Sequence, residues 1–119
     1  MEPARSSAVL PEVTILSDAR GPRPENAVGV GGFWYEPEVW ALPVAPAAKV
    51  LYASLCSYLG HGQINRKDLR ATLGGSTDEE IAGALEELVD HDLLVPGERA
   101  TRSGTLPGYE IRSVRAFEA

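Results

Sequence analysis

The side chains best suited to act as a nucleophile or proton carrier in this 119-residue chain are Cys56, His61 and His91, and their settings oppose that use. The histidines stand 30 positions apart, one in a His61-Gly62 loop and one closing a helical pattern, where a cation offsets the helix dipole. Cys56 lies inside an apolar helical run, where a thiol serves as a small filler rather than an activated thiolate. No spacing of metal ligands is present. The run Gly29-Val30-Gly31-Gly32 is not followed by a helix start, so it lacks the order of a phosphate loop and reads as a flexible link. The expectation is a non-enzymatic protein with no catalytic residue, metal or cofactor.

Ionic groups offer more. Arg66, Lys67 and Arg70 fall on the exposed side of one helical pattern, and Arg99 and Arg102 fall at the tip of a hairpin pattern. Cations so placed can hold phosphate oxygens. Arg5, Arg20 and Arg23 in the N-terminal stretch add the material of a basic arm. The long-range field points the other way, since a net charge of -6 and a pI near 4.9 repel nucleic acid and anionic membrane. From Val44 to Arg112 stand seven basic and ten acidic side chains, a balance of -3.

These groups need elements to position them. Residues 1–32 are rich in proline and glycine with one apolar run, Val13 to Leu16, able to pair as a short strand; they read as an arm docked on its own domain or on a neighbouring subunit. Phe33, Trp34, Tyr35 and Trp40 then gather half of the eight aromatic residues within eight positions, which marks a contact surface. A first helix is expected from about Ala45 to Leu59, stopped by Gly60, with apolar residues nearly encircling it. A second helix follows the N-cap Asn65 and runs through Leu73, and Gly74-Gly75 makes the turn. Ser76 and Glu79 form the pattern of a capping box that opens a third helix to about His91, with Ile81, Leu85, Leu88 and Val89 facing inward. Leu93 to Val95 reads as a strand, Pro96 to Pro107 as a flexible hairpin, and Tyr109 to Val114 as the return strand.

The segments AAKVLYASL, RKDLRATLG and EIAGALEELVDHDLL resemble the winged helix-turn-helix family of phage and plasmid replication initiators and small bacterial DNA-binding regulators. The resemblance covers roughly residues 33 to 112 and implies a mainly α fold: a three-helix core with a two- or three-stranded wing, bounded as an arm at 1–32, a domain at 33–115 and a tail at 116–119. It also implies double-stranded DNA as partner and a role in transcription regulation or replication. Departures concern the reading face. The turn from Gly74 to Ile81 is one residue longer than the family pattern, and the outer positions of the third helix are Thr77, Asp78, Glu80, Gly83, Glu86, Glu87 and Asp90, where DNA-binding members carry basic or amide residues. Phosphate contact is therefore assigned to Arg66, Lys67, Arg70, Thr77, Arg99 and Arg102, in the second helix, the turn and the wing.

The alternative reading is an interaction or assembly module that does not bind DNA. It takes a basic protein partner on the acidic third helix and uses Phe33, Trp34, Tyr35 and Trp40 as a protein interface. A homodimer is expected because a small three-helix domain covers only one side of the first helix. One cysteine, no apolar run of membrane-spanning length and no signal-peptide core fit a reducing, cytoplasmic setting without membrane.

Overall fold

The computed structural model describes residues 12–30, 33–57 and 63–115. Arg5, Leu59, Gly60, His61, Gly31, Gly32 and the tail at 116–119 lie outside the described residues.

Among the described residues six strands and three helices follow in the order β1 (Val13–Asp18), β2 (Val28–Val30), β3 (Phe33–Tyr35), α1 (Pro46–Ser57), β4 (Gln63–Ile64), α2 (Arg66–Thr72), α3 (Asp78–Asp90), β5 (Leu94–Thr101) and β6 (Gly104–Ile111). A 3-10 turn, Pro37–Ala41, links β3 to α1. The fold is α/β, which corrects the expectation of a mainly α winged helix carrying a small hairpin. β1 is parallel to β6, β6 is antiparallel to β5, and the two-residue β4 extends the sheet along the other edge of β1, giving the order β4-β1-β6-β5. β2 and β3 form a separate antiparallel ribbon.

The physical reason for the correction lies in β1. Its alternation sends Val13 and Ile15 into the core while Ser17 and Asp18 face water. The segment read as part of an arm is therefore an inner strand, and it turns a two-stranded wing into a mixed sheet. The hairpin is also more regular than expected. Pairing continues from Leu94↔Ile111 to Thr101↔Gly104, so Pro96 to Pro107 is strand almost to its tip. Gly108 lets β6 pass close to β1: a Cβ there would meet the Thr14 carbonyl at 2.5 Å.

The helices form around this sheet for local reasons. Asn65 caps α2 by accepting from the Asp68 N–H at 2.9 Å. At α3 the capping box is one residue later than expected: Thr77 accepts from the Glu80 N–H at 3.1 Å, and Glu80 accepts from the Thr77 N–H at 2.7 Å. Ile81, Ala84, Leu85 and Leu88 then bury one stripe. Asp92 ends the helix with φ 63°, a left-handed conformation that aspartate tolerates better than most residues and that turns the chain into β5.

α1 is the centre of the core, with Ala48, Leu51, Tyr52, Leu55 and Cys56 buried. α3 and α2 pack on it, and so do β3 and the 3-10 turn. The chain's own ribbon thus covers the second apolar side of α1, the feature that suggested a dimer. Gly29 makes the ribbon possible, since its φ is 128° and a Cβ would lie 2.2 Å from the Phe33 carbonyl oxygen.

Two buried charges pin the ribbon. Arg20, 3% exposed, stacks its guanidinium 3.7 Å over the Trp34 ring and donates to the Trp34 carbonyl. It also forks onto Asp18, with 2.9 Å and 3.0 Å bonds to the two carboxylate oxygens. Glu36, 4% exposed, accepts from the Ser113 hydroxyl at 2.8 Å and the Val114 N–H at 3.1 Å, tying the segment after β6 to the end of β3.

Candidate functional site

The cations expected to hold phosphate are mostly occupied within the chain. Arg70 forks onto Asp78 at the start of α3, at 2.9 and 2.8 Å. This bond raises the Arg70 pKa and holds Asp78 below the usual carboxylate value. Arg66 lies 3.8 Å from the Glu12 carboxylate. Arg99 donates to the Leu16 carbonyl at 3.1 Å, which ties the hairpin arm to β1. Thr77 has its hydroxyl engaged as the helix cap. Lys67 stands exposed on α2 and Arg102 exposed in the turn between β5 and β6. The set spreads over α2, the head of α3 and the hairpin, each member held by its own neighbour or, for Lys67 and Arg102, by none among the described residues, and Arg99 lies against the sheet instead of against Glu86 or Asp90.

The aromatic residues divide in the same way. Trp34 is buried beneath Arg20, whereas Phe33 and Trp40 are 47% and 45% exposed. Tyr35 meets Trp40 edge to face, with ring centres 5.6 Å apart. Lys49 donates to the Trp40 carbonyl at 2.8 Å and so fixes the turn that carries the indole.

A different surface gathers unspent chemistry. Between α3 and the β5–β6 hairpin runs a depression of about 530 Å³, floored by Leu85, Val89, Pro96 and Tyr109 and edged by Glu86 and Asp90. It exists because Ala82, Glu86 and Val89 recur at helical spacing on the flank of α3 that faces the hairpin, and because Pro96 and Tyr109 are cross-strand partners. Burial pushes up the Tyr109 phenol, consistent with a ring set half into this floor. A second depression of about 480 Å³ adjoins it, shares Pro96 and Tyr109, and carries Glu12 and Glu98.

The acids of α3 have distinguishable duties. Asp78, Glu79 and Glu80 lie in the first turn, where the helix dipole favours a carboxylate. Glu87 accepts from the Ala45 N–H at 3.2 Å and so joins α3 to the start of α1. Glu86 and Asp90 have neither excuse: they lie past the first turn, are exposed, and have no partner among the described residues.

Residue-by-residue reading of the sequence registers these two acids but misses the groove, because Tyr109 reaches α3 only through the pairing of β6 with β5. The α3 stripe was a usable signal. The strand register was not, since hairpin tip and proline positions leave it open.

His91 caps the end of α3, its N–H donating to the Glu87 carbonyl at 3.2 Å. Cys56 is buried, and burial pushes its thiol up to about 12, the opposite of an activated nucleophile. Among the described residues no group of three or more His, Cys, Asp or Glu is placed to hold a metal ion, and no helix is long and apolar enough to cross a membrane. In comparisons with known proteins, no family model, no curated protein and no solved structure matches the chain.

Proposed function

We propose that this chain is a protein-interaction module that takes a basic segment of a partner on the acidic flank of α3. The observation that carries the reading is the division of charge. Arg70 and Arg66 lie against carboxylates of their own chain and Arg99 against a backbone carbonyl, leaving Lys67 and Arg102 apart from each other, while Glu86 and Asp90 keep their charge unspent side by side on a groove floored by Leu85, Val89, Pro96 and Tyr109. A phosphate backbone approaching α2 would have to compete with Asp78 for Arg70 and would meet the acids of α3 next to it, with little counterion release in return. A cationic peptide meets the opposite balance, and the negative field of the whole chain speeds its approach. The single buried, protonated cysteine suits a reducing, cytoplasmic setting.

The test is a pair of salt titrations by fluorescence anisotropy between about 50 and 200 mM salt, one with a labelled octalysine peptide and one with a mixed-sequence DNA duplex. The reading expects binding of the peptide that weakens with salt, and no binding of the duplex at the low-salt end. Duplex binding that falls by orders of magnitude over this range, and that Lys67→Glu abolishes, would replace it with phosphate contact through α2 and the hairpin.

A further inference from the structure

We infer that the groove is built for two arginine side chains of one partner segment, one in each depression, straddling the Tyr109 ring. This deepens the reading above and rests on it. The inference begins with the floor. Leu85, Val89, Pro96 and Tyr109 contribute apolar atoms to the floor, and the edge beside it is anionic at Glu86 and Asp90. A purely apolar side chain would fill the bed and leave the carboxylates idle. A small cation would meet the carboxylates and leave the bed wet. A side chain with an aliphatic stem and a cationic head satisfies both, the stem lying on the bed and the head reaching the edge.

The second depression repeats the arrangement. Its bed is Pro107 and the backbone of Gly97 and Gly108, continuous with Pro96 and Tyr109, and its unspent charge comes from Glu98, since Glu12 on its rim already faces Arg66. The two depressions together hold four carboxylates and no basic residue among the described residues, and Glu86, Asp90 and Glu98 have no partner there. Charge complementarity therefore selects a cationic occupant along the whole groove. Arginine fits better than lysine for two reasons. Its planar fork matches a carboxylate with two parallel hydrogen bonds, and its guanidinium stacks on an aromatic face such as Tyr109, which lines both depressions. The occupant lies across the face of the hairpin rather than along its edge. β5 is the outer strand of the sheet, but Pro96 lacks an N–H and interrupts any added strand there.

The probes are labelled hexa-arginine and hexa-lysine peptides, measured by anisotropy at 50 mM salt against the wild-type chain and three charge variants of unchanged shape. The pair Glu86→Gln with Asp90→Asn empties the first depression of charge, Glu98→Gln reduces it in the second, and Glu79→Gln changes an acid of α3 outside the groove. The expected result is tighter binding of hexa-arginine than hexa-lysine by about tenfold. The first two variants should each weaken hexa-arginine by about fivefold or more, Glu79→Gln should leave it within twofold, and the Tyr109 ring protons should shift in the NMR spectrum on titration. If both peptides bind equally, or if Glu79→Gln weakens binding as much as the groove variants, the two-arginine groove is wrong while the acidic docking surface stands. If neither peptide binds at 50 mM salt, the docking surface itself is wrong and the inference falls with it.

Discussion

Replacing Arg20 by alanine tests whether the ribbon is held by a buried charge or merely decorated by one. The guanidinium has three attachments: the fork onto Asp18, the bond to the Trp34 carbonyl and the 3.7 Å stack on the Trp34 ring. Breaking a fully buried ion pair by removing one partner costs about 3 to 5 kcal/mol, because the other charge is stranded. The Asp18 side chain is 35% exposed, so water screens much of its stranded charge and the pair deserves less than that range. The Trp34 carbonyl left without a donor adds about 1 to 3 kcal/mol, and the lost stack about 0.5 to 2 kcal/mol. About 3 kcal/mol is expected overall, against a total stability of about 5 to 15 kcal/mol for a domain. Urea unfolding at pH 7, followed by tryptophan fluorescence, should show the midpoint fall by about 2 M at an unchanged slope, for a slope near 1.5 kcal/mol per molar. Arg20→Lys should recover less than half of the loss, since an ammonium cannot fork and stack together. Acid supplies an independent check. Burial alone would raise the Asp18 pKa, but the hydrogen bonds and charge of Arg20 outweigh it and hold the group below its ordinary value. A depressed pKa gives stability that is present above the unfolded value of about 4 and is lost as pH falls through the folded one, so the gap between wild type and Arg20→Ala should narrow below about pH 4 by the part due to Asp18, while the part due to the Trp34 carbonyl and ring remains. A loss under about 1 kcal/mol at pH 7 with an unchanged slope would refute the reasoning and make the pair equivalent to an exposed one.

Three further outcomes follow from the geometry. With its pKa pushed up to about 12 by burial, Cys56 should react with a thiol-specific disulfide reagent at pH 8 about a thousandfold more slowly in the folded chain than in urea. A raised pKa also makes stability present below the ordinary thiol value and lost as pH climbs toward 12, at about 1.4 kcal/mol per pH unit, and Cys56→Ala should flatten the fall in urea midpoint between pH 8.5 and 10. At the head of α3, Thr77→Ala should cost about 1 kcal/mol, whereas Ser76→Ala should stay within about 0.5 kcal/mol; the reverse order by thermal unfolding would move the cap back to Ser76.

That last pair shows how far local pattern reaches. Ser76 with Glu79 and Thr77 with Glu80 both satisfy the spacing of a capping box, so the sequence places the helix start within one residue and cannot choose between them. The cap Asn65 and the buried stripe Leu69, Ile81, Leu85, Leu88 were legible because each depends on neighbours three or four positions away. The sheet was not. Ile15 pairs with Tyr109 in parallel across most of the chain, and an isolated apolar run between prolines carries no mark of so distant a partner. Arg20 misled for a related reason: a cation among glycine and proline reads as a solvated arm until the ribbon brings Trp34 over it. Of the candidate site, the acids of α3 were visible and the groove beside them was not, since Tyr109 enters only with the strand register.

Some charges of this molecule hold its elements together, and others, Lys67, Arg102, Glu86, Asp90 and Glu98 among them, make no bond among the described residues. Arg20 (anchored by Asp18), Glu36 and Glu87 make bonds that hold one element to another, and the removal of any of them has a structural consequence. Glu86, Asp90 and Glu98 make none, and each adds to the net negative charge of an acidic chain. Solvation alone would be served as well by alternating signs, as on most protein surfaces. Three unpaired acids of one sign around Leu85, Val89, Pro96 and Tyr109 instead set negative charge beside apolar atoms. A single class of occupant suits both at once, a cation with an aliphatic stem. Neutralising these acids should therefore stabilise the free chain slightly while weakening its capture of arginine, the opposed pair of effects that marks residues kept for binding.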